Sequence, residues 1–245
     1  RNNGMIRMFP GRTRYEYFNY YSPTTATIED KRVRSVYQDS RGLIWIGTQH
    51  GVYRYNDQTN DIRHYTTETD DAMADNFVYT INEDAYGVLW IGTWKGVLSY
   101  NPETERFTSY NADKTKVYTS VRCIVKGKDG GLWVATENGL TFMNYQIKDH
   151  VAVDIQATYY HCQENVPYSL NDDYLYALDV DDDGNPWIGT AKGLNMYDIR
   201  QGRFVRFDDI EYLSNTLIRG VVCSRDDVWI SHRNGLTRLN RKKMT

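Results

Sequence analysis

Residues 39–56 read Asp-Ser-Arg-Gly-Leu-Ile-Trp-Ile-Gly-Thr-Gln-His-Gly-Val-Tyr-Arg-Tyr-Asn, and the central phrase of this stretch returns four more times along the chain. Each copy opens with a tryptophan that a glycine follows six residues later. The tryptophans are Trp45, Trp90, Trp133, Trp187 and Trp229. They recur at intervals of 42 to 54 residues, a spacing that indicates a repeat architecture.

The first complete repeat predicts four short strands. Val33–Gln38 is rich in β-branched residues, and Leu43–Thr48 carries the tryptophan. Val52–Tyr55 and Asp61–Thr66 supply the third and fourth strands, and polar turns separate all four. Four strands in a unit of about 40–45 residues are typical of a β-propeller blade.

The predicted fold is therefore an all-β propeller of four-stranded antiparallel blades, with five Trp-centred repeats and a partial N-terminal blade. The partial blade covers residues 1–21, and the repeats cover about 31–66, 76–110, 119–160, 173–208 and 216–245. The glycine of the Trp strand (Gly47, Gly92 and Gly189) is expected to leave room for an aromatic side chain of the adjacent blade.

The two ends of the chain leave two ways of completing the propeller open. In one, Thr13–Tyr20 supplies the missing fourth strand beside Gly235–Asn240 and closes a five-bladed ring. In the other, the chain is a fragment of a larger, seven-bladed propeller. We favour the second, because Gly4–Met8 aligns with Gly51–Tyr55 and the first leaves it without a role.

Bulk properties exclude several classes of protein. The net charge of −3 and the pI of about 6.0 argue against a dedicated nucleic-acid binder. No apolar run is long enough to cross a membrane. The three cysteines, Cys123, Cys162 and Cys223, lack metal-ligand spacing, and we expect small buried thiols.

Signatures of catalysis and metal binding are absent from the sequence. It contains no Gly-x-Ser-x-Gly elbow, His-Glu-x-x-His motif or P-loop. Asp179-x-Asp181-x-Asp183 imitates the start of a calcium loop, but Thr190 stands where the bidentate glutamate belongs. No cofactor and no metal are expected.

The stretch quoted above resembles the two-component regulator propeller repeat, and the resemblance extends over essentially the whole chain. The first, second and fourth repeats match best. The third departs at Ala135 and Met143, and the fifth departs at Ser231, His232 and Leu239. Departures of this kind are expected near the end of a repeat array.

This resemblance implies a place in the extracytoplasmic sensor of a hybrid histidine kinase/response regulator of Bacteroidetes. Such sensors combine propellers, an immunoglobulin-like domain, a membrane helix and the kinase, and many detect oligosaccharides. The chain is thus expected to be a periplasmic, non-enzymatic sensor belonging to an inner-membrane receptor. Its expected partners are an oligosaccharide, a neighbouring propeller and the immunoglobulin-like domain, without nucleic acid or membrane contact. The alternatives are a polysaccharide lyase or glycosidase, and an interaction scaffold that dimerises.

Candidate ligand residues lie first in the loops between the second and third strands, because these loops vary within a constant frame. Trp94 and Lys95 stand out, since an exposed tryptophan stacks on sugar rings and a lysine binds acidic groups. Lys192 and Arg233 occupy the corresponding loops of the fourth and fifth repeats.

A second candidate set appears when the inner strands are aligned. Their second positions read Arg34, Tyr79, Arg122, Tyr176 and Arg219. Side chains there are expected to ring the mouth of the central channel and to suit an anionic or sulfated sugar. The alternative is that each arginine pairs with a carboxylate or carbonyl of a neighbouring blade.

The segment between the third and fourth repeats, Asp149–Leu170, is longer than its counterparts. Three alternatives stay open for it: a cover over a pocket, a docking element for another domain, and an ornamental loop.

Overall fold

The computed structural model describes residues 5–8, 15–18, 28, 32–110, 112–117, 120–210 and 212–243. It begins with an antiparallel pair, β1 (Met5–Met8) and β2 (Tyr15–Phe18). The rest of the predicted partial blade 1–21 lies outside the described residues.

Five sheets follow, which we number blades I to V in chain order. Blade I contains β3 (Ser35–Gln38), β4 (Ile44–Thr48), β5 (Gly51–Asn56) and β6 (Asp61–Tyr65). Blade II contains β7 (Val78–Glu83), β8 (Leu89–Thr93), β9 (Gly96–Asn101) and β10 (Arg106–Tyr110), and the short helix α1 (Ala112–Thr115) follows it. Blade III contains β11 (Val121–Lys126), β12 (Leu132–Thr136), β13 (Gly139–Lys148) and β14 (Val151–Tyr160). Blade IV contains β15 (Leu175–Val180), β16 (Pro186–Thr190), β17 (Gly193–Asp198) and β18 (Arg203–Arg206). Blade V contains β19 (Ile218–Ser224), β20 (Asp227–His232) and β21 (Gly235–Asn240).

Every blade is an antiparallel meander in chain order, with four strands in blades I to IV and three in blade V. The first strand of each blade packs against the first strand of the next, from β3 through β7, β11 and β15 to β19. The Trp strands of blades I to IV are buried along nearly their whole length. The predicted propeller blades are thus confirmed.

In blades I, II and IV the glycine of the Trp strand lies against the first inner-strand residue of the next blade. A Cβ at Gly47 would come within 2.6 Å of Val78 Cγ1, and one at Gly92 within 2.5 Å of Val121 Cγ1. Gly189 meets Ile218 in the same way, at 2.6 Å. The expectation of an aromatic neighbour was therefore wrong. The space is taken by a β-branched aliphatic side chain, which is short enough to stay over its own strand.

In blade V the glycine of this strand pair lies on the first strand instead of on the Trp strand. Ser231 stands at the glycine position of the Trp strand, and the residue paired with it is Gly220. A Cβ on Gly220 would lie 2.7 Å from Ser231 Oγ. The departure of the fifth repeat at Ser231 is thus compensated within its own blade.

An aspartate six residues before the tryptophan anchors the turn of three blades. Asp39, Asp84 and Asp181 accept the indole N–H of their tryptophans at 2.9, 2.8 and 3.0 Å. Each also accepts two backbone N–H groups of its own turn. These bonds are charge-assisted and buried, so they fix the turn against the tryptophan. Asp181 is engaged in this way, which gives the calcium-like triplet a structural role.

The extra length between the third and fourth repeats is mostly strand. The hairpin of β13 and β14 turns at Asp149 and His150, and both have positive φ. Its far end contacts blade II: Asn101 Nδ2 donates to the Asp149 carbonyl at 3.0 Å, and the Ala152 N–H donates to the Tyr110 hydroxyl at 3.1 Å. Residues 149–160 are therefore an outer strand that braces blade II.

The five-bladed closure does not occur. Tyr15–Phe18, within the segment expected to pair with Gly235–Asn240, instead pairs with Met5–Met8. Among the described residues, β21 pairs with β20 alone. The predicted role of Thr13, Arg14, Asn19 and Tyr20 falls on residues that the structure does not describe.

In the described part of the chain, no helix is long and apolar enough to span a membrane. The three cysteines are unpaired and half-buried. Burial raises the pKa of the Cys123 thiol to about 11 and raises that of Cys223 as well.

We expect Asp84→Ala to lower the free energy of unfolding by about 3 kcal/mol, because it removes the shared acceptor of several buried donors. These include Trp90 Nε1 and the Tyr145 hydroxyl, at 2.8 and 2.7 Å. Urea unfolding followed by circular dichroism measures the change. Asp129→Ala, in the corresponding turn of blade III, is the control and should change stability by less than about 0.5 kcal/mol. Equal losses in both variants would contradict the anchoring role.

We expect Cys123 to react with iodoacetamide at pH 8 roughly two orders of magnitude more slowly than free cysteine, because the thiolate is the nucleophile and its pKa is about 11. The rate should rise as the pH approaches 11. Peptide mass spectrometry of native and urea-unfolded protein measures it. A native rate equal to the unfolded rate would show that the folded environment does not protect the thiol.

Candidate functional site

Four inner strands carry a β-bulge at the same place. The pairing register shifts between Val78 and Thr80 in β7, and at the matching residues of β11, β15 and β19. The residue that each shift leaves between two paired ones is, in chain order, Tyr79, Arg122, Tyr176 and Arg219. A bulge re-aims the side chain of its extra residue. Arg34 directly precedes β3 at the equivalent position.

These five residues form a continuous stack, which we call the Arg–Tyr row: Arg34, Tyr79, Arg122, Tyr176 and Arg219. The Tyr79 ring centroid lies 5.8 Å from Arg34 Cζ and 4.3 Å from Arg122 Cζ. The Tyr176 centroid lies 5.8 Å from both Arg122 Cζ and Arg219 Cζ. Arginines and tyrosines thus alternate across five blades through cation–π contacts.

The three arginines differ in their ion pairs. Arg122 pairs with Glu137, whose other oxygen accepts the Tyr174 hydroxyl at 3.0 Å. Arg34 and Arg219 are exposed and have no ion pair within the described residues. The alternative was that each arginine pairs with a neighbouring blade; Arg122 is paired, but its partner Glu137 belongs to its own blade. The row presents two arginines for an anion.

Trp94 lies beside the row in an aromatic group. Its side chain is 47% exposed. Its ring centroid is 6.1 Å from that of Phe77 and 6.3 Å from that of Tyr79, and the Tyr79 ring is inclined to it by 30°. Arg34 Cζ also lies 5.0 Å from the Phe77 centroid. An exposed indole therefore adjoins the end of the row that carries the unpaired Arg34.

The predicted loop lysines are held by aspartates. Lys95 Nζ lies 3.7 Å from Asp75, and Lys192 Nζ lies 2.9 Å from Asp172. The bond to Asp172 raises the pKa of Lys192. Arg233 is exposed in the turn between β20 and β21, and it has no ion pair or ring contact within the described residues. The structure therefore does not join Arg233 to the row.

Two residues of this region escaped the sequence analysis, Phe77 and Tyr174, and a shared pattern marks both. Asp75-Asn76-Phe77-Val78-Tyr79 and Asp172-Asp173-Tyr174-Leu175-Tyr176 have an aspartate, an aromatic residue and a tyrosine at alternate positions. In both, the aspartate accepts the N–H of the aromatic residue two positions on. Glu137 lies in one of the variable loops between second and third strands, but nothing in the sequence singled it out as the partner of Arg122 and Tyr174.

Metal binding has no support in this region. Among the residues that the structure describes, no group of three histidine, cysteine or acidic side chains has a geometry that would hold a metal ion.

Comparison with known families identifies the repeat. The family model of the two component regulator propeller matches residues 27–50, 72–95 and 117–138. These segments end in the Trp strand, or just past it, of blades I, II and III. Among curated proteins, none matches the chain.

Solved structures share the fold. The chain is similar to the extracellular domain of BT4673, assigned to a hybrid two component system of B. thetaiotaomicron, with 22% identity and a TM-score of 0.78 over 100% of this chain and 33% of that one. The extracellular domain of BT3049, from the same organism and also assigned to a hybrid two component system, has 25% identity and a TM-score of 0.69; the match covers 92% of this chain and 31% of that one. Virginiamycin B lyase from Staphylococcus aureus has 12% identity and a TM-score of 0.64; the match covers 92% of this chain and 69% of the lyase.

The two extracellular domains are much longer than this chain. This chain spans about a third of the length of the two extracellular domains. The predicted fragment of a larger propeller agrees with that share, and the number of blades, seven, stays a prediction.

We expect iodide to quench the fluorescence of Trp94 more efficiently than caesium does, because unpaired arginines attract anions to this surface. The Trp94 contribution is the difference between the protein and Trp94→Phe. Arg34→Ala should lower the iodide constant and leave acrylamide quenching unchanged, whereas Arg200→Ala, at the opposite strand ends, should change neither. Equal changes with both quenchers would mean that Arg34 acts by packing.

Proposed function

Because the chain carries two component regulator propeller repeats, we propose that it is a ligand-sensing part of the extracytoplasmic region of a hybrid two-component sensor. The similarity to the extracellular domains of BT4673 and BT3049 supports this proposal. The kinase lies outside this chain, and the periplasm is the compartment in which the chain works.

The proposed ligand is an acidic or sulfated oligosaccharide, and the Arg–Tyr row is the observation that carries this proposal. Arg34 and Arg219 offer guanidinium N–H groups that match carboxylate and sulfate geometry. The stacked tyrosines hold these side chains in place, which lowers the entropy lost on binding. Trp94 adds an exposed apolar ring face for a sugar.

The row has one residue from each of blades I to V, so a ligand bound along it would contact several blades at once. This is how binding could be sensed. A charged ligand that bridges Arg34 and Arg219 favours one arrangement of the blades over another. The signal is then a population shift passed to a neighbouring propeller and an immunoglobulin-like domain. Binding without turnover is sufficient for this role, so no catalytic residue is required.

The test is calorimetric titration of the chain with a sulfated, a carboxylated and a neutral oligosaccharide of equal length. We expect saturable binding of an anionic member and recovery of the sugar intact. Arg34→Ala and Arg219→Ala should each weaken binding roughly tenfold, as loss of a charge-assisted hydrogen bond does. Glu137→Gln should strengthen it roughly threefold, because a carboxylate that competes for Arg122 is removed.

Arg200→Ala removes an exposed charge at the opposite strand ends and should leave the affinity unchanged. Cleavage of the sugar would contradict the sensor proposal and favour the alternative of a polysaccharide lyase or glycosidase. Dimerisation without binding of any of the three sugars would favour the interaction scaffold. A loss of affinity in Arg200→Ala equal to that in Arg34→Ala would move the site away from the row.

A further inference from the structure

A cavity of about 370 Å³ opens between blades III and IV, at the strand ends opposite the Arg–Tyr row. Four aromatic rings line it: Trp133, Phe142, Tyr160 and Tyr197. The Trp133 centroid lies 4.6 Å from that of Phe142 and 5.7 Å from that of Tyr197. Its size and apolar lining are those of a site for a small ring compound.

Trp133 differs from its counterparts in the other four-stranded blades. In blades I, II and IV the indole N–H donates to an aspartate six residues earlier, but Gly127 occupies that position in blade III. The Trp133 side chain is only 4% exposed. Trp133 lines the cavity, and its Nε1 donates no hydrogen bond to any described residue. Within the described part of the chain the indole N–H therefore has no protein acceptor, and it is not among the atoms sealed from solvent.

The turn before Trp133 explains why its own blade supplies no carboxylate. A Cβ at Gly127 would lie 2.7 Å from the Gly130 carbonyl oxygen, so a side chain does not fit there without moving the backbone. Gly131 has a φ of +70°, and a Cβ there would meet the Phe142 ring. The indole N–H consequently receives no acceptor from this turn.

The rim of the cavity carries polar groups. Lys128 Nζ donates to the Asp182 carbonyl, and its ammonium stays exposed. Asn144 is exposed, and its amide makes no hydrogen bond within the described residues. Asp129 lies on the same rim, so its negative charge disfavours a ligand with more than one carboxylate.

We propose that this cavity binds a small molecule that joins a flat or six-membered ring to a carboxylate. The carboxylate accepts the Trp133 N–H, in the role that Asp39, Asp84 and Asp181 have in their own blades. The ring packs between Phe142 and Tyr197. This site is independent of the oligosaccharide site proposed above, because it lies at the opposite strand ends of blades III and IV and uses no residue of the row.

The test is an NMR titration of the indole N–H signals of the ¹⁵N-labelled protein. The chain has six tryptophans, and Trp133→Phe identifies the signal of Trp133. Benzoate and glucuronate are the probes, and benzamide and glucose are their neutral counterparts. We expect a saturable downfield shift of the Trp133 signal alone with at least one carboxylate. Benzoate would identify an aromatic acid, and glucuronate would identify a sugar acid.

Trp187→Phe is the matched control, since it removes an indole N–H that Asp181 already occupies, and it should keep the Trp133 shift. Arg34→Ala should keep it too, which separates this site from the row. Backbone-based assignment gives the same readout should Trp133→Phe not fold. No shift at millimolar carboxylate, or equal shifts with the neutral counterparts, would overturn the proposal.

Discussion

The close approach between a Trp-strand glycine and the first inner-strand residue of the next blade is the contact on which the rest of this structure depends. It allows no side chain larger than hydrogen at Gly47, Gly92 or Gly189. At three boundaries the first inner-strand residue of the next blade is thus held directly against the Trp strand. The bulged residue follows that packed residue in every blade from II to V, so the bulged side chains of successive blades occupy matching positions. The Arg–Tyr row is a consequence of that repeated position.

The repeat made the fold predictable, whereas the site was predictable only in part. Aligning five copies of one phrase identified the blades and the five row positions, because four of these positions lie 11 residues before a tryptophan and the fifth, Arg219, lies 10 before. The bulge was missed, although it leaves a trace: the buried residues Val78 and Ile81 are three positions apart instead of two. The contacts of Glu137 were missed as well, because its partners, Arg122 and Tyr174, come from two different blades. The aromatic neighbour expected at the glycines was wrong because sequence periodicity does not tell which face meets the next blade.

Departures from the repeat carry different meanings in different blades. The exchange of Gly220 and Ser231 keeps a small residue opposite a larger one within the strand pair of blade V. Gly127 removes an acceptor and leaves the Trp133 N–H without one among the described residues, beside a cavity. A substitution in a repeat protein is therefore best judged by whether its partner changes with it. In blade III the aspartate is replaced by Gly127 while its partner Trp133 is retained. The indole N–H can then serve a role other than holding the blade together.

The long β13–β14 hairpin changes how two neighbouring blades are coupled. In a linear array, stability is the sum of each repeat's own term and the coupling between neighbours. The hairpin adds bonds from blade III to Asn101 and Tyr110 of blade II, so these two blades are joined at their outer strands as well as at their inner ones. Separation of blades II and III therefore requires the loss of outer-strand bonds in addition to the inner-strand packing, and we expect the two blades to unfold together.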